Sequence, residues 1–289
     1  MSRGLFNRLP VALLLLSIAI AVVGCSAAGP VVPPAPSPPA EQPLRIAGTA
    51  KALALLRSLA DAYRLKHPEA VFQFDSGIDS TPAVREVGDG SLDLAIISRP
   101  LTPEEAAIPV AGSAFVRDAI VFATNSSVSL PGLSSAQIRD IYGGVITSWQ
   151  QVGGPAASII VFDREASDSG HLKVAQEVLQ GKPIAARTVV YNKSNDLLDA
   201  LDTTPNALGF SQLGLLQSRR SRSVRILAMD GVTPAPDTVA QGTYPWHMPF
   251  YLVHNENRAP QALRAFLEFA YGSEGKRIIQ ENGYGALAP

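Results

Sequence analysis

The feature that most constrains the fold is an alternation of short apolar segments with amphipathic segments from residue 44 onward. The apolar segments predict strands at residues 44–47, 71–74, 92–97, 115–123, 159–162, 188–191, 207–210, 224–228 and 250–253. The amphipathic segments predict helices at residues 49–66, 82–87, 133–142, 172–179, 196–201 and 260–271, and a last helix capped by Ser273. This order predicts an α/β fold with largely parallel, buried sheets.

Local start signals are clearest for the helix predicted at residues 133–142. Ser134 and Gln137 have the spacing of a capping box, in which each side chain bonds a backbone N–H at the helix start. Leu133 and Ile138 fit the hydrophobic staple that fixes the entry of the chain. We therefore expect this helix to start at the capping box, with Ser134 as its N-cap.

Residues 1–24 have the pattern of an export signal. Arg3 and Arg8 form a basic start, and residues 11–23 are apolar except for Ser17. This apolar run is shorter than the about 20 residues that a membrane-spanning helix needs. We therefore expect a cleaved signal peptide rather than a membrane span.

Cys25, the only cysteine, follows the apolar run directly. Residues 22–25, VVGC, resemble the bacterial lipobox, in which the peptide is cut before a cysteine that is then acylated. The resemblance implies a lipid on Cys25 and an extracytoplasmic, membrane-anchored protein. A plain signal peptide followed by a chance cysteine is the alternative. The proline-rich residues 25–43 cannot build a helix or a sheet ladder, so they are predicted to be a lipidated tether.

Composition limits the classes of partner. The chain is 46% hydrophobic and 17% charged, which is enough apolar material for a packed core. The formal net charge is −1, so the sequence lacks the excess of basic residues that is typical of proteins that bind nucleic acid. We expect no nucleic-acid partner.

Four predicted strand ends are followed by small, hydroxyl or basic residues. These turns are residues 48–51, 79–82, 98–99 and 164–171. Ligands of α/β proteins sit outside the carboxyl ends of the strands, where helix N-termini and arginine attract anions. Each turn alone also fits simple helix capping, for example by Ser80, Thr81 or Ser169. Together the four turns predict an anion site at one sheet edge.

Several motifs carry a family resemblance, and their order and spacing make it specific. Residues 59–63 (LADAY), 90–95 (GSLDLA) followed by Ser98-Arg99, 133–149 (LSSAQIRDIYGGVITSW) and 205–210 (PNALGF) resemble stretches of one family. That family is the PstS-like phosphate-binding proteins, the substrate-binding subunits of bacterial ABC transporters. The similarity covers nearly all of residues 46–284.

The resemblance implies a two-lobed periplasmic binding protein-like type II fold with a ligand cleft between the lobes. Lobe 1 would comprise residues 44–124 and 244–289, and lobe 2 residues 125–243. It implies a non-catalytic monomer that needs no cofactor or metal, captures inorganic phosphate or a related oxyanion, and passes it to an ABC permease. The ligand-binding residues it implies are Thr49, Ala50, Lys51, Ser80, Ser98, Arg99, Arg164, Ser169, Gly170 and His171.

The chain departs from the family in these turns. Ala50 stands where a hydroxyl residue is usual, and Thr49 is the alternative source of a hydroxyl. Ser98 falls where some members carry an aspartate that accepts a phosphate proton. The loop after Arg164 has one extra residue, and His171 replaces a threonine. An acidic Asp79 or Asp168 in the pocket would repel a fully ionised anion and accept a hydrogen bond from a protonated one. The alternative for Asp79 is that it caps the helix begun at Pro82.

Other functions stay open at this point. A hydrolase of phosphate esters needs a nucleophile, a base and an orienting group, and none of the four histidines lies in a nucleophile motif. A lipid-anchored sensor or adhesion module with a degenerate pocket would keep the same fold. A phosphatase assay tests the hydrolase, and oxyanion titration tests the degenerate pocket. His171 is also open, either as a surface helix residue or as a ligand contact.

Overall fold

The computed structural model of the protein describes residues 42–76 and 78–289, without the side chains of Ala50, Lys51 and Ser76. The predicted signal peptide, Cys25 and the tether up to residue 41 lie outside the described residues. Within the described part, no helix has the length and apolar character needed to cross a bilayer.

Strands and helices alternate through most of the described chain. The strands are β1 (Leu44–Gly48), β2 (Phe72–Ser76), β3 (Leu94–Ile97), β4 (Val110–Asn125), β5 (Gly132–Leu133), β6 (Ile160–Arg164), β7 (Thr188–Tyr191), β8 (Ala207–Gln212), β9 (Val224–Ile226), β10 (Ala228–Met229), β11 (His247–Asn255) and β12 (Gly285–Ala286). The helices are α1 (Ala50–Arg64), α2 (Ser80–Asp89), α3 (Ser135–Tyr142), α4 (Ser169–Lys173), α5 (Ser194–Thr203), α6 (Leu213–Arg219), α7 (Pro236–Ala240), α8 (Gln261–Tyr271) and α9 (Ser273–Glu281). Short 3-10 helices cover Glu105–Ala107 and Trp149–Val152, and a π-helix covers Val174–Val178. The predicted α/β class is confirmed.

One large sheet runs in the order β2-β1-β3-β11-β4-β8-β6-β7. The pairs β1–β2, β1–β3, β6–β7 and β6–β8 are parallel, whereas β11 is antiparallel to both β3 and β4, and β4 is antiparallel to β8. The prediction of a largely parallel sheet is therefore wrong at the centre. The chain passes through the middle of the sheet in opposite directions, in β4 and in β11.

The long strand β4 belongs to two groups of strands. Its first part pairs with β11, up to Ala119 opposite His247, and its second part pairs with β8, from Ile120 opposite Gln212. The hydrophobic core is divided in the same way. Buried residues of α1, α8 and α9 pack with β1 and β3, and those of α3, α5 and α6 pack with β6 and β8.

Helix starts agree with the local sequence in one case and differ in others. The capping box of α3 is present, with Ser134 Oγ accepting from Gln137 N and Gln137 Oε1 accepting from Ser134 N. Ser273 is not the cap of α9. Gly272 occupies that position, and Ser273 is the first helical residue. The predicted helix at residues 172–179 begins earlier, at Ser169, and changes to a π-helix at Val174.

Candidate functional site

The carboxyl ends of the parallel strands in both groups run toward one place, the middle of β4. β3 ends at Ile97, opposite Tyr251 of β11, and β11 continues back to His247, opposite Ala119. β8 ends at Gln212, opposite Ile120. The turns predicted to bind an anion follow these strand ends, so the topology brings residues 48–51 and 98–99 toward residues 164–171.

Arg164 is the last residue of β6 and is deeply buried. Only 8% of the residue is exposed. Its Nη2 donates to Asp168 Oδ2 at 3.0 Å, while Nε and Nη1 have no hydrogen-bond partner among the described residues. A buried charged donor without an acceptor is costly, so these two nitrogens are suited to an incoming anion.

Asp168 caps the start of α4. Its Oδ1 accepts from Gly170 N at 2.8 Å and from His171 N at 3.2 Å, and its Oδ2 faces Arg164. The backbone donors of Gly170 and His171 are therefore engaged by an internal carboxylate. Ser169, the first residue of α4, is exposed. Ser169, Gly170 and His171 remain predicted ligand residues.

His171 is held by a buried carboxylate. Its Nδ1 lies 3.0 Å and 3.1 Å from the two oxygens of Asp163, and Asp163 Oδ1 also accepts from Arg164 N at 2.8 Å. Because a carboxylate accepts, Nδ1 carries the proton and donates it. The His171 side chain is 17% exposed, so it is not an unpaired surface residue. Asp163 was not predicted from the sequence. The available signal was a charged residue directly after the apolar segment at residues 159–162.

On the other group of strands, Thr49 stands at the N-cap of α1. It makes no capping bond with its side chain, and its buried Oγ1 has no partner within residues 42–76 and 78–289. Ala50 and Lys51 begin α1, but their side chains lie outside the description. Ser80 is the first residue of α2, and Asp79 occupies the N-cap position without a side-chain capping bond. In this group of strands, the hydroxyl of Thr49 has no hydrogen-bond partner among the described residues and can bond a ligand.

Arg99 is engaged by Glu105 and Thr81. Its Nη1 and Nη2 donate to the two oxygens of Glu105 at 2.7 Å each, and Nη2 also donates to Thr81 Oγ1 at 2.7 Å. These bonds join the end of β3 to the first turn of α2. The Arg99 guanidinium lowers the pKa of the buried Glu105 carboxyl to about 2. Ser98 beside it is exposed. Ser98 and Arg99 stay predicted ligand residues. Arg99 connects Glu105 and Thr81 by hydrogen bonds, and we call these contacts the Arg99 brace.

A cavity of about 450 Å³ lies where the two groups of elements meet. Its lining includes Leu55 of α1, Asp118 of β4, Gln212 at the end of β8, Leu215 of α6 and Tyr284. Burial raises the pKa of the Tyr284 hydroxyl, and the negative charge of Asp118 adds to that shift. Asp118 was not predicted, because one aspartate within a long strand carries no recognisable spacing.

Comparison with known proteins places this site in context. A sequence profile described as a PBP superfamily domain matches residues 33–274. The phosphate-binding protein PstS of Borreliella burgdorferi is 25% identical over 199 residues, which cover 66% of this chain and 71% of that protein. The phosphate-binding protein PstS of Bacillus subtilis is 24% identical over 246 residues, which cover 83% and 79%.

Solved structures show the same architecture. An ABC-type phosphate transport receptor from Vibrio cholerae matches with a TM-score of 0.66 and 26% identity, over 86% of this chain and 100% of that one. PstS from Borrelia burgdorferi matches with a TM-score of 0.64 and 21% identity, over 86% and 100%.

Proposed function

Because the chain belongs to the PBP superfamily, we propose that it is an extracytoplasmic binding protein that captures an oxyanion, with phosphate as the first candidate. The captured anion would pass to an ABC permease in the membrane. The names of the relatives, phosphate-binding protein and phosphate transport receptor, support both parts. The predicted α/β periplasmic binding protein-like fold is confirmed by these matches.

A single observation carries the proposal for this chain, namely the buried guanidinium of Arg164. Two of its nitrogens lack an acceptor in the described part of the chain, and Asp168 already satisfies the third. Arginine is always ionised and matches the oxygens of phosphate, so an oxyanion would complete its hydrogen bonds. The unused hydroxyl of Thr49 supplies a donor from the other group of strands.

The two-lobed division remains a proposal in its details. We place lobe 1 at residues 44–124 and 244–289 and lobe 2 at residues 125–243. The separate core clusters and the change of pairing partner along β4 support two lobes that close on the ligand, and this change falls at Ala119–Ile120, before the proposed boundary at residue 124. A monomer without a nucleic-acid partner also remains part of the proposal.

The lipid anchor on Cys25 is a proposal from the sequence alone. A signal peptide ending at residue 24 and a lipidated tether at residues 25–43 would hold the binding protein at a membrane surface. Cys25→Ser should release the protein from the membrane fraction and abolish incorporation of labelled fatty acid. Retention of the variant with the membranes would contradict the anchor.

Capture without turnover is the third part of the proposal. The relatives are named as binding proteins, which supports binding rather than hydrolysis of phosphate esters. A phosphatase assay on the purified protein tests this, and turnover abolished by His171→Ala would contradict it. A sensor or adhesion module with a degenerate pocket would give no heat with any oxyanion.

The decisive experiment is calorimetric titration with phosphate, arsenate, sulfate and molybdate. We expect tight binding of at least one oxyanion and a loss of affinity on the order of 100-fold or more in Arg164→Ala, since two bonds to a charged ligand are removed. Arg139→Ala is the matched control. That arginine also lies in the second group of elements, and its Nη1 donates a long bond of 3.4 Å to Val178 O. Absence of heat with all four anions would overturn the proposed function.

A further inference from the structure

The strand next to Arg164 carries a second buried polar group that is not used. Ser211 of β8 is 5% exposed, and its Oγ has no hydrogen-bond partner within the described residues 42–76 and 78–289. Buried hydroxyls are normally paired, and an unpaired one destabilises the folded state. The packing of β8 therefore does not explain why an unpaired hydroxyl is buried at Ser211.

The register between β6 and β8 places Ser211 beside Arg164. Ile160 pairs with Ala207 and Val161 with Leu208 in parallel. A Cβ at Gly209 would lie 3.3 Å from the Cβ of Phe162, so the same register continues one residue further.

Side chains alternate between the two faces of a strand, so residues two apart share a face. Arg164 lies two residues after Phe162, and Ser211 lies two residues after Gly209. Both strands remain regular to these positions, since β6 ends at Arg164 and β8 at Gln212. Arg164 and Ser211, each with unpartnered polar atoms in the described part of the chain, thus occupy neighbouring positions on one face of the sheet, at the carboxyl ends of β6 and β8.

We propose that Ser211 is a further ligand-binding residue, whose hydroxyl bonds the oxyanion held by Arg164. This inference rests on the proposed function, because it uses the same ligand. A hydroxyl both donates and accepts, so Ser211 serves an ionised oxygen or a protonated one, whereas Arg164 only donates. The next residue, Gln212, lines the cavity of about 450 Å³, so this strand end borders open space.

The test compares the wild-type protein with Ser211→Ala. Phosphate affinity is measured by calorimetry, and Tm is measured without added oxyanion. We expect the affinity to fall about 10- to 100-fold, the range for one hydrogen bond to a charged group. We expect Tm to stay equal or to rise by about 2–4 °C, since the substitution removes an unsatisfied buried hydroxyl.

Thr124→Val is the matched control. Thr124 lies on β4 opposite Leu208 of β8 and is also fully buried, but its Oγ1 donates to Ala207 O at 2.6 Å. Removal of this satisfied hydroxyl should lower Tm and leave the phosphate affinity within twofold of the wild type. The two variants thus separate a hydroxyl that serves the ligand from one that serves the fold.

Each result has a distinct meaning. Wild-type affinity in Ser211→Ala would overturn this inference and leave the proposed function standing. A fall in both affinity and Tm would assign Ser211 to the fold and would also overturn it. If the wild-type protein binds no phosphate, arsenate, sulfate or molybdate, the proposed function fails and this inference falls with it.

Discussion

Two arginines at strand ends show how the same residue type serves different purposes. Arg99 follows β3, and Glu105 and Thr81 accept three of its hydrogen bonds. Arg164 ends β6, and only one of its nitrogens bonds Asp168. The difference is the number of acceptors that the fold brings to each guanidinium. An arginine whose two terminal nitrogens have protein acceptors stabilises the site around it, and one with unpaired nitrogens has capacity left for a ligand.

The Arg99–Glu105 pair predicts a specific acid sensitivity. The pKa of Glu105 is about 2 in the folded protein, against 4.5 for the ordinary group. A lowered pKa contributes stability that is present above about pH 4.5 and is lost as pH falls toward 2. The shift corresponds to on the order of 3 kcal/mol at pH 7. Glu105→Gln should therefore lower the free energy of unfolding by roughly this amount at pH 7, measured by urea denaturation.

The difference between Glu105→Gln and the wild type should shrink as pH is lowered from 4.5 toward 2. Glu104→Gln is the control, because its side chain is exposed beside the pair and it makes no bond to Arg99 among the described residues. A constant difference across this pH range would show that the carboxylate charge is not what stabilises the brace.

At the scale of elements, α3 is the helix whose start is fixed most locally. Ser134 and Gln137 bond each other's backbone N–H groups, and Ile138 is buried in the first turn. Ser134→Ala should lower the free energy of unfolding by about 1 kcal/mol, the usual cost of losing an N-cap. Chemical denaturation of Ser134→Ala, Gln137→Ala and the double variant measures it.

The double variant provides the internal check on the capping box. Because the two side chains act as one unit, the double variant should lose less stability than the sum of the single variants. Strict additivity would show that each side chain acts separately and would contradict the reciprocal box.

The helices and strands also show which parts of the fold can be predicted from the sequence. The start of α3 was predicted because all of its signals lie within six residues. The antiparallel course of β4 against β11 was not, because those strands pair across more than a hundred residues and no local pattern encodes their direction. The π-helix at Val174–Val178 was missed for a similar reason, since an apolar period predicts a helix and not its type.

The candidate site also contains one residue that local sequence predicts and others that it does not. Arg164 was predicted from its place after an apolar strand, and two of its donors have no partner among the residues that the structure describes. The brace of Arg99 was not predicted, because Glu105 lies in a short 3-10 helix with no sequence signature. Ser211 was missed because the predicted strand ended at residue 210, and a single serine after it has no recognisable signal, whereas β8 continues to Gln212. Sequence locates the turns, but hydrogen-bond partners decide which side chains remain available.

At the scale of the whole molecule, two of the three core clusters in the described residues meet at a contact between backbones. Gly214 of α6 packs against the turn after α9, and Leu213 and Leu216 of α6 belong to one cluster while Ile279 of α9 belongs to the other. A Cβ at Gly214 would lie 2.0 Å from Asn282 O and 3.6 Å from the Cα of Gly283. No side chain fits there unless α6 and the turn move apart.

Gly214→Ala should therefore weaken oxyanion binding without touching the anion site. Alanine within a helix usually stabilises it, but here overpacking of this kind costs about 1–3 kcal/mol. If closure of the proposed lobes brings α6 onto the turn, that cost falls on the closed form. Phosphate affinity should then fall about 10-fold or more, measured by calorimetry, and the radius of gyration in saturating phosphate should exceed that of the wild type by small-angle scattering.

Ser218→Ala is the control for Gly214→Ala, because it places an alanine one turn further along the same helix, at an exposed residue where the substitution adds no atom. It should bind phosphate as the wild type does and give the same radius of gyration. Wild-type affinity in Gly214→Ala would mean that α6 and the turn after α9 keep the same spacing whether or not the anion is bound. The cleft would then close about a different contact, and the proposed lobe boundaries near residues 124 and 244 would need to be drawn elsewhere.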